Sequence, residues 1–362
     1  MAVFGISVYP EHSTREKDLE YIKLAGKYGF RRIFTCLLSV GTKSKKELIE
    51  EFGTLIDAAH KEGMEVILDV NPAVFSRLHI SYEDLSWFHE IHADGIRLDE
   101  GFDGMKESLM THNGGLKIEL NASDGGTYLD NVMANFPNTQ NLITCHNFYP
   151  QKYTGLSLEH FNACNRAMKK YHLRTAAFVS SNNGKTFGPW PVNEGLCTLE
   201  MHRGLPLELQ VRHLLATGMI DDVLIANAFA SEEELRACTK LNPAVLTFGI
   251  ELEKELTKVE RAILYYDKKH ANRADVSDYM ARSTSPRSTF SEVSIPPANT
   301  HDLKPGDVAI VNDRYSRYKG ELQIALKPME NDGRKNVIGH IPAQEMFLLE
   351  YMEPRRIFGF QE

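Results

Sequence analysis

Between residues 3 and 229, short β-prone runs alternate eight times with helix-like segments, and few folds accommodate that. The runs are VFGISVY (3–9), RRIFTCLL (31–38), MEVILDV (64–70), DGIRLD (94–99), LKIELNA (116–122), NLITCHNF (141–148), RTAAFVS (174–180) and DDVLIANAF (221–229). Strands joined through helices must be parallel, because each crossover returns the chain to the same end of the sheet. Eight such units in one stretch of this length match a closed (β/α)8 barrel better than an open sheet. Helix signals support the alternation. Ser13 with Glu16 and Ser231 with Glu234 read as capping boxes, and Leu48, Phe52, Leu55, Ile56 and Ala59 recur at helical spacing.

Helical periodicity is lost beyond Tyr266. The runs DVAIV (307–311), GELQIAL (320–326), NVIGHI (336–341) and MFLLEYM (346–352) follow, separated by Pro, Gly and Asn/Asp turns. The expected class is therefore α/β, with a TIM barrel over 1–255 and a small all-β, barrel-like domain over 256–362.

Charge limits the partners. The 362 residues hold 41 Lys and Arg against 49 Asp and Glu, a net charge of −8. Affinity for nucleic acid comes mainly from phosphate neutralisation, so no nucleic-acid partner is expected. No run approaches the ~20 apolar residues that span a bilayer, so no membrane partner is expected either. The first residues, MAVFGISVYPEHS, show no basic region or long apolar core, so no signal peptide is expected and the location is read as cytoplasmic. Five dispersed cysteines without a CxxC pair fit a reducing compartment. Neither HExxH nor a nucleotide-binding glycine motif occurs, so neither metal nor cofactor is expected.

Barrel chemistry sits at the C-terminal ends of the strands, and alternation says which side chains face the axis there. That face carries Tyr9 and Glu11, Asp69 and Asn71, Arg97 and Asp99, Glu119 and Asn121, then His146, Asn147, Tyr149 and Asn227. Barrel cores are normally filled by Val, Ile and Leu, and unpaired buried charges cost several kcal/mol each. So many ionisable groups imply a paired network or a wet pocket. Several carboxylates around one cavity suit acid–base work on a polyhydroxylated substrate. Asp99 and Glu119 are the first candidates for catalysis, with Glu11 and Glu200 as competitors from loops.

The loop after the seventh run, 180–204, is long enough to be a lid. It carries Trp190, a platform for a sugar ring, together with Glu200, His202 and Arg203. Further on, Arg282, Ser283, Thr284 and Arg287 offer guanidinium forks and hydroxyls that match phosphate oxygens. A solvated linker is the plainer reading of that segment.

The motifs GISVYPEHSTREKDLEYI, GFRRIFTCLL, LDVNP, GIRLDEGF, IELNAS, CHNFYPQKYTGLS, GLCTLEMHR and IANAFAS stand in one order along the chain. In that order they resemble the 6-phospho-N-acetylmuramidase family (MupG type) over essentially the whole sequence. The resemblance implies an intracellular exo-acting glycosidase of bacterial cell-wall recycling. Its substrate would be N-acetylmuramic acid 6-phosphate linked β-1,4 to N-acetylglucosamine. Within matching motifs fall Tyr9, Glu11, Thr35, Asp69, Asn71, Arg97, Asp99, Asn121, Ser123, His146, Asn147, Tyr149, Glu200, His202 and Arg203. Glu100 stands where the pattern has an aromatic residue, and ANAF replaces a GNAF-like or GDPF-like run.

Three other classes compete with this reading. A pyridoxal-phosphate enzyme of the barrel-plus-β-domain kind would need a lysine near the end of the first strand, and FGISVYPEHS has none. A sugar-phosphate isomerase or lyase would share the pocket. A non-enzymatic carbohydrate-binding protein would have no use for inward carboxylates on adjacent strands. Oligomeric state, the stereochemical outcome and the split of acid, base and nucleophile roles are not legible at this level.

Overall fold

The computed structural model describes residues 2–38, 41 and 43–361. All eight runs are strands of one closed parallel barrel: β1 (Val3–Ser7), β2 (Arg32–Cys36), β3 (Glu65–Val70), β4 (Gly95–Leu98), β5 (Lys117–Asn121), β6 (Leu142–Cys145), β7 (Thr175–Val179) and β8 (Asp222–Ile225). Each strand is shorter than its β-prone run, and in all but β3 the final residues leave the ladder toward the mouth of the barrel. The helices between them are α1 (Arg15–Lys27), α2 (Lys45–Lys61), α3 (Pro72–Arg77), α4 (Ser86–Glu90), α5 (Met105–Met110), α6 (Gly126–Ala134), α7 (Leu158–Lys170), α8 (Leu207–Ala216) and α9 (Glu232–Thr239). Ser231 and Glu234 do form a capping box on α9. For α1 the cap is Thr14, one residue past Ser13, and its hydroxyl accepts from Lys17 N.

The outward strand faces are apolar. Ile33, Val66, Leu68, Ile96, Leu98, Ile118 and Leu120 are buried in one hydrophobic core with helix residues such as Phe52, Ile56 and Phe88. Inside the barrel, polar and apolar levels alternate. Near the N-terminal end, Arg32 pairs with Asp222 at 2.5 Å and with Glu119, all three side chains fully buried. Arg174 extends this network to Asp222 at 2.8 Å and Glu65 at 2.5 Å. Two residues along from Arg32 comes Phe34, which meets Phe178 and Phe148 edge to face, with centroids 5.1–6.1 Å apart. These three rings fill the barrel centre, as the offset electrostatics of aromatic rings favour. Above them the polar residues of the mouth begin.

The chain divides into two compact units, Met1–Leu241 and Asn242–Glu362. The shift in composition pointed instead to 255/256. The difference comes from β9 (Leu246–Phe248), too short to register as a run, which pairs with the chain's last strand, β16 (Ile357–Phe360). The second unit also contains β10 (Glu251–Leu252), α10 (Lys258–Leu264), β11 (His270–Ala271), β12 (Met280–Ser283), α11 (Ser285–Phe290), β13 (Asp307–Val311), β14 (Leu322–Ala325) and β15 (Lys335–His340). They form a five-stranded sheet ordered β10-β15-β13-β14-β12 and a three-stranded sheet ordered β11-β16-β9. The run 346–352 is not a strand. All but its last residue lie in a 3-10 segment, Ala343–Tyr351, and its largely apolar run lacks the alternation that separates strand from helix.

Candidate active site

The mouth is organised around one guanidinium. Arg97, on β4, donates from Nη1 to Asp69 Oδ1 at 2.6 Å and to Asp99 Oδ1 at 3.1 Å. Its Nη2 donates to Asn147 Oδ1. Strand register explains the first contact, since Asp69 on β3 lies directly beside Arg97. Asp99 comes two residues later on the same face of the chain, at the rim. The Asp69 side chain is 7% exposed and that of Asp99 35%. Burial pushes the Asp69 carboxyl up to about 7; Arg97 pulls it back and Asp99 pushes it further up. The Cys36 thiol, at the inward end of β2, lies 3.7 Å from Asp69 Oδ2.

Hydrogen bonds from Asn121, Ser123 and Asn147 surround this cluster. Asn121 Nδ2 donates to the Asp99 carbonyl at 3.4 Å, and its Oδ1 accepts from Ser123 N at 2.9 Å. The Ser123 hydroxyl accepts from Asn147 N at 3.0 Å and lies 3.3 Å from His146 Nδ1. Burial holds His146 down to about 3, so its imidazole is neutral at pH 7, and its ring packs at a tilt against Phe161. Tyr149 lies at the same rim, half-buried, and burial raises its phenol. Asp124, on the 3-10 turn Ala122–Asp124 after β5, is a further rim carboxylate. Desolvation raises its pKa, Arg97 opposes that and Asp99 adds to it. The motif IELNAS ends one residue short of it, at Ser123. Cys36 and Arg32 were also passed over, although both face inward by the same alternation that singled out Asp69.

Other expected site residues lie elsewhere in the fold. Glu119 is fully buried beneath the phenylalanines, against Arg32. Tyr9 is buried, with its hydroxyl donating to the Ala226 carbonyl at 2.5 Å. Asn71 caps α3, accepting from Val74 N. Asn227 ties β8 to the loop after β7, accepting from Ser181 N and donating to its carbonyl and to Thr186 Oγ1, all at 2.8 Å. His202 is buried 2.7 Å from His213 Nδ1, and burial drives its pKa well below the usual value. Glu11 lies 4.0 Å from Lys43.

Glu200 and Arg203 form a loop clamp. Arg203 donates to both Glu200 oxygens at 2.7 Å, to the Gly195 carbonyl at 2.8 Å and to the Tyr149 carbonyl at 3.0 Å. Glu200 in turn accepts from Tyr153 N and Gly155 N, both at 2.8 Å. A Cβ at Gly155 would come within 2.8 Å of Glu200 N, so only glycine admits this approach. The Arg203 partner and these amides hold Glu200 down to about 2. The clamp borders a cavity of about 680 Å³, lined also by Lys152, Asn183 and Glu194. Trp190, in the same loop, is 39% exposed.

The four residues assigned to phosphate lie in the second unit. Arg282 and Arg287 both face the buried carboxylate of Glu321, at 3.1 and 3.4 Å, leaving one positive charge in excess. Arg287 also stacks over Tyr318. Ser283 is buried, with its hydroxyl 2.9 Å from His270 Nδ1, and Thr284 is half-buried at the start of α11. Among the described residues, no three His, Cys, Asp or Glu side chains converge as a metal site requires, and no helix is long and apolar enough to cross a membrane.

Comparison with known proteins agrees with this architecture. The model described as 6-phospho-N-acetylmuramidase, N-terminal, matches residues 4–240, and its C-terminal counterpart matches 246–361. A crystal structure of an uncharacterized B. cereus protein superposes with a TM-score of 0.92 at 48% identity, covering 100% of this chain and 99% of that one. A conserved Enterococcus faecalis protein of unknown function gives 0.73 at 26% identity, covering 99% and 96%. No curated protein matches the chain.

Proposed function

The chain belongs to the 6-phospho-N-acetylmuramidase family, a glycosidase acting on a phosphorylated muramic sugar, and from that premise we propose its reaction and its working residues. The substrate is the β-1,4-linked disaccharide of N-acetylmuramic acid 6-phosphate and N-acetylglucosamine. Hydrolysis releases the two monosaccharides during peptidoglycan recycling in the bacterial cytoplasm. The observation that carries this reading is the pair of carboxylates, Asp69 and Asp99, sharing Arg97 at the barrel mouth.

Glycosidic cleavage needs a proton for the leaving oxygen and negative charge near the developing oxocarbenium ion. Asp99, the more exposed member, meets the sugar. Asp69 is the proton-holding partner, since burial keeps it near neutrality, and Arg97 fixes the distance between the two. Asn121, Asn147 and Tyr149 orient hydroxyl groups of the ring. Asp99→Asn preserves shape and removes the charge. Its kcat on the phosphorylated disaccharide is expected to fall 10²–10⁴-fold, about what acid–base help is worth. A folded Asp99→Asn enzyme keeping more than about a tenth of wild-type kcat would remove Asp99 from the mechanism.

Phosphate recognition is assigned to Arg282 and Arg287, where two guanidiniums around one carboxylate leave a surplus charge. A charge-assisted contact contributes about 1.5–3 kcal/mol. Arg282→Ala is therefore expected to raise KM for the phosphorylated disaccharide roughly 10- to 150-fold and to leave the unphosphorylated analogue unaffected. Equal effects on both substrates would show that Arg282 acts through stability alone.

A further inference from the structure

Strand register brings a polar side chain against Asp69 from each side. Arg97 lies beside it on β4 and Cys36 on β2. The two carboxylate oxygens are divided between them. Oδ1 accepts from Arg97 Nη1 at 2.6 Å, and Cys36 Sγ lies 3.7 Å from Oδ2, which has no other hydrogen-bond partner among the described residues. The ladder between β2 and β3 fixes this approach, since Leu37 N donates to the Asp69 carbonyl at 2.9 Å.

The thiol is oriented as well as near. Leu38 N donates to Cys36 Sγ at 3.4 Å, which uses the sulfur as an acceptor and leaves its hydrogen for Asp69. Cys36 is buried, and burial pushes the thiol well up, with the Asp69 charge pushing it further. The group is therefore S–H rather than thiolate at neutral pH, a donor and not a nucleophile. The other charged or titratable groups facing Asp69 are Arg97 on β4, Asp99 just past that strand, and Tyr9 just past β1. Arg97 is permanently charged, and burial keeps the Tyr9 phenol protonated.

We propose that Cys36 is a positioning residue for the reaction, its thiol donating to Asp69 Oδ2 and so setting how readily the Asp69 proton is released. A donor to a carboxylate favours the ionised form. Arg97 and Cys36 therefore act together against burial, which favours the protonated acid. A thiol is a weak donor, so it offsets burial only in part and leaves Asp69 able to hold a proton near neutrality. The use of that proton in catalysis rests on the glycosidase reading; the hydrogen bond does not.

The test uses the full chain with Cys36→Ala and Cys36→Val, neither of which has an S–H to donate; Val fills the space that Ala leaves open. Infrared difference spectra of wild type against Cys36→Ala isolate the Cys36 S–H stretch. That band is expected to move to higher frequency in Asp69→Asn, where the charged acceptor is gone. Carbon-13 NMR of aspartate-labelled protein reads the carboxyl itself, with the Asp69 signal assigned by its loss in Asp69→Asn. Both Cys36 variants should raise the Asp69 midpoint by about 0.4–1 pH unit, the size of one ordinary hydrogen bond to the ionised form. The basic limb of kcat on the phosphorylated disaccharide should move up by the same amount, because Asp69 then keeps its proton to higher pH. Lost packing alone would lower Tm or kcat without moving that limb. The proposal is overturned if the Asp69 midpoint is unchanged or lowered in both variants, or if the S–H band is indifferent to Asp69→Asn. If the midpoint rises and the kinetic limb stays, the Cys36 contact stands and it is the assignment of Asp69 as proton holder in the reaction that falls.

Discussion

Arg97 and Arg32 stand at two levels of one barrel, and each holds two carboxylates. Around Arg97 one of the two, Asp99, is partly open to solvent, and around Arg32 neither Glu119 nor Asp222 is. That difference is the ground on which Asp99 is proposed as a site residue and Glu119 as a support. A substrate can reach Asp99, whereas the ring cluster of Phe34, Phe148 and Phe178 lies above Glu119. Removing one partner of a buried ion pair typically costs 3–5 kcal/mol, because it strands the other charge. Glu119→Gln is therefore expected to lower stability by about that amount in urea unfolding, with kcat of the folded fraction within about threefold of wild type. A hundredfold loss of kcat at unchanged stability would restore Glu119 to the catalytic pair.

Among the elements, the loops after β6 and β7 depend most on a single contact. Glu200 and Arg203 bind backbone at Tyr149, Tyr153, Gly155 and Gly195, and with Tyr153 and Gly195 they form part of the wall of the 680 Å³ cavity. Glu200→Gln keeps the size but weakens two amide contacts and an ion pair. The expectation is a KM increase of about tenfold with little change in kcat, and faster proteolysis within 180–204. An unchanged KM would mean that this wall does not touch substrate. The elements themselves were legible from local pattern, because parallel strands packed on both faces read as apolar runs between helical periods. The levels inside the barrel were not. Alternation says that Glu119 and Asp99 both face the axis, but not that Arg32, 87 residues away, takes up Glu119. The burial of His202 was hidden for the same reason: its partner His213 lies on α8, beyond the turn that follows His202. The Asp69–Arg97–Asp99 cluster was readable because its members occupy neighbouring strands in register.

For the whole molecule, acid sensitivity follows from buried histidines set against buried carboxyls. Burial holds His146 down to about 3, His213 and His270 to about 4, and His202 well below its usual value. The unfolded chain binds protons at these four positions below about pH 6.5, and the folded chain does not. Stability is therefore lost there as pH falls. Asp69 and Asp18 act the other way: raised to about 7 and about 6, they are protonated in the folded state while the unfolded chain, near 3.9, has released those protons. Near pH 5.5 the balance is 4 − 2 = 2 extra protons on the unfolded chain, so stability should fall by roughly 2–3 kcal/mol per pH unit on acidification. Each compact unit carries a share: three histidines less two aspartates in Met1–Leu241, and His270 in Asn242–Glu362. Calorimetry at constant ionic strength should show Tm nearly flat above pH 7 and falling steeply from pH 6.5 to 4.5, in both transitions if two are resolved. A Tm that rises on acidification through that window would mean that the buried carboxyls outweigh the histidines, and that Asp69 and Asp18 hold their protons more tightly than the four imidazoles refuse theirs.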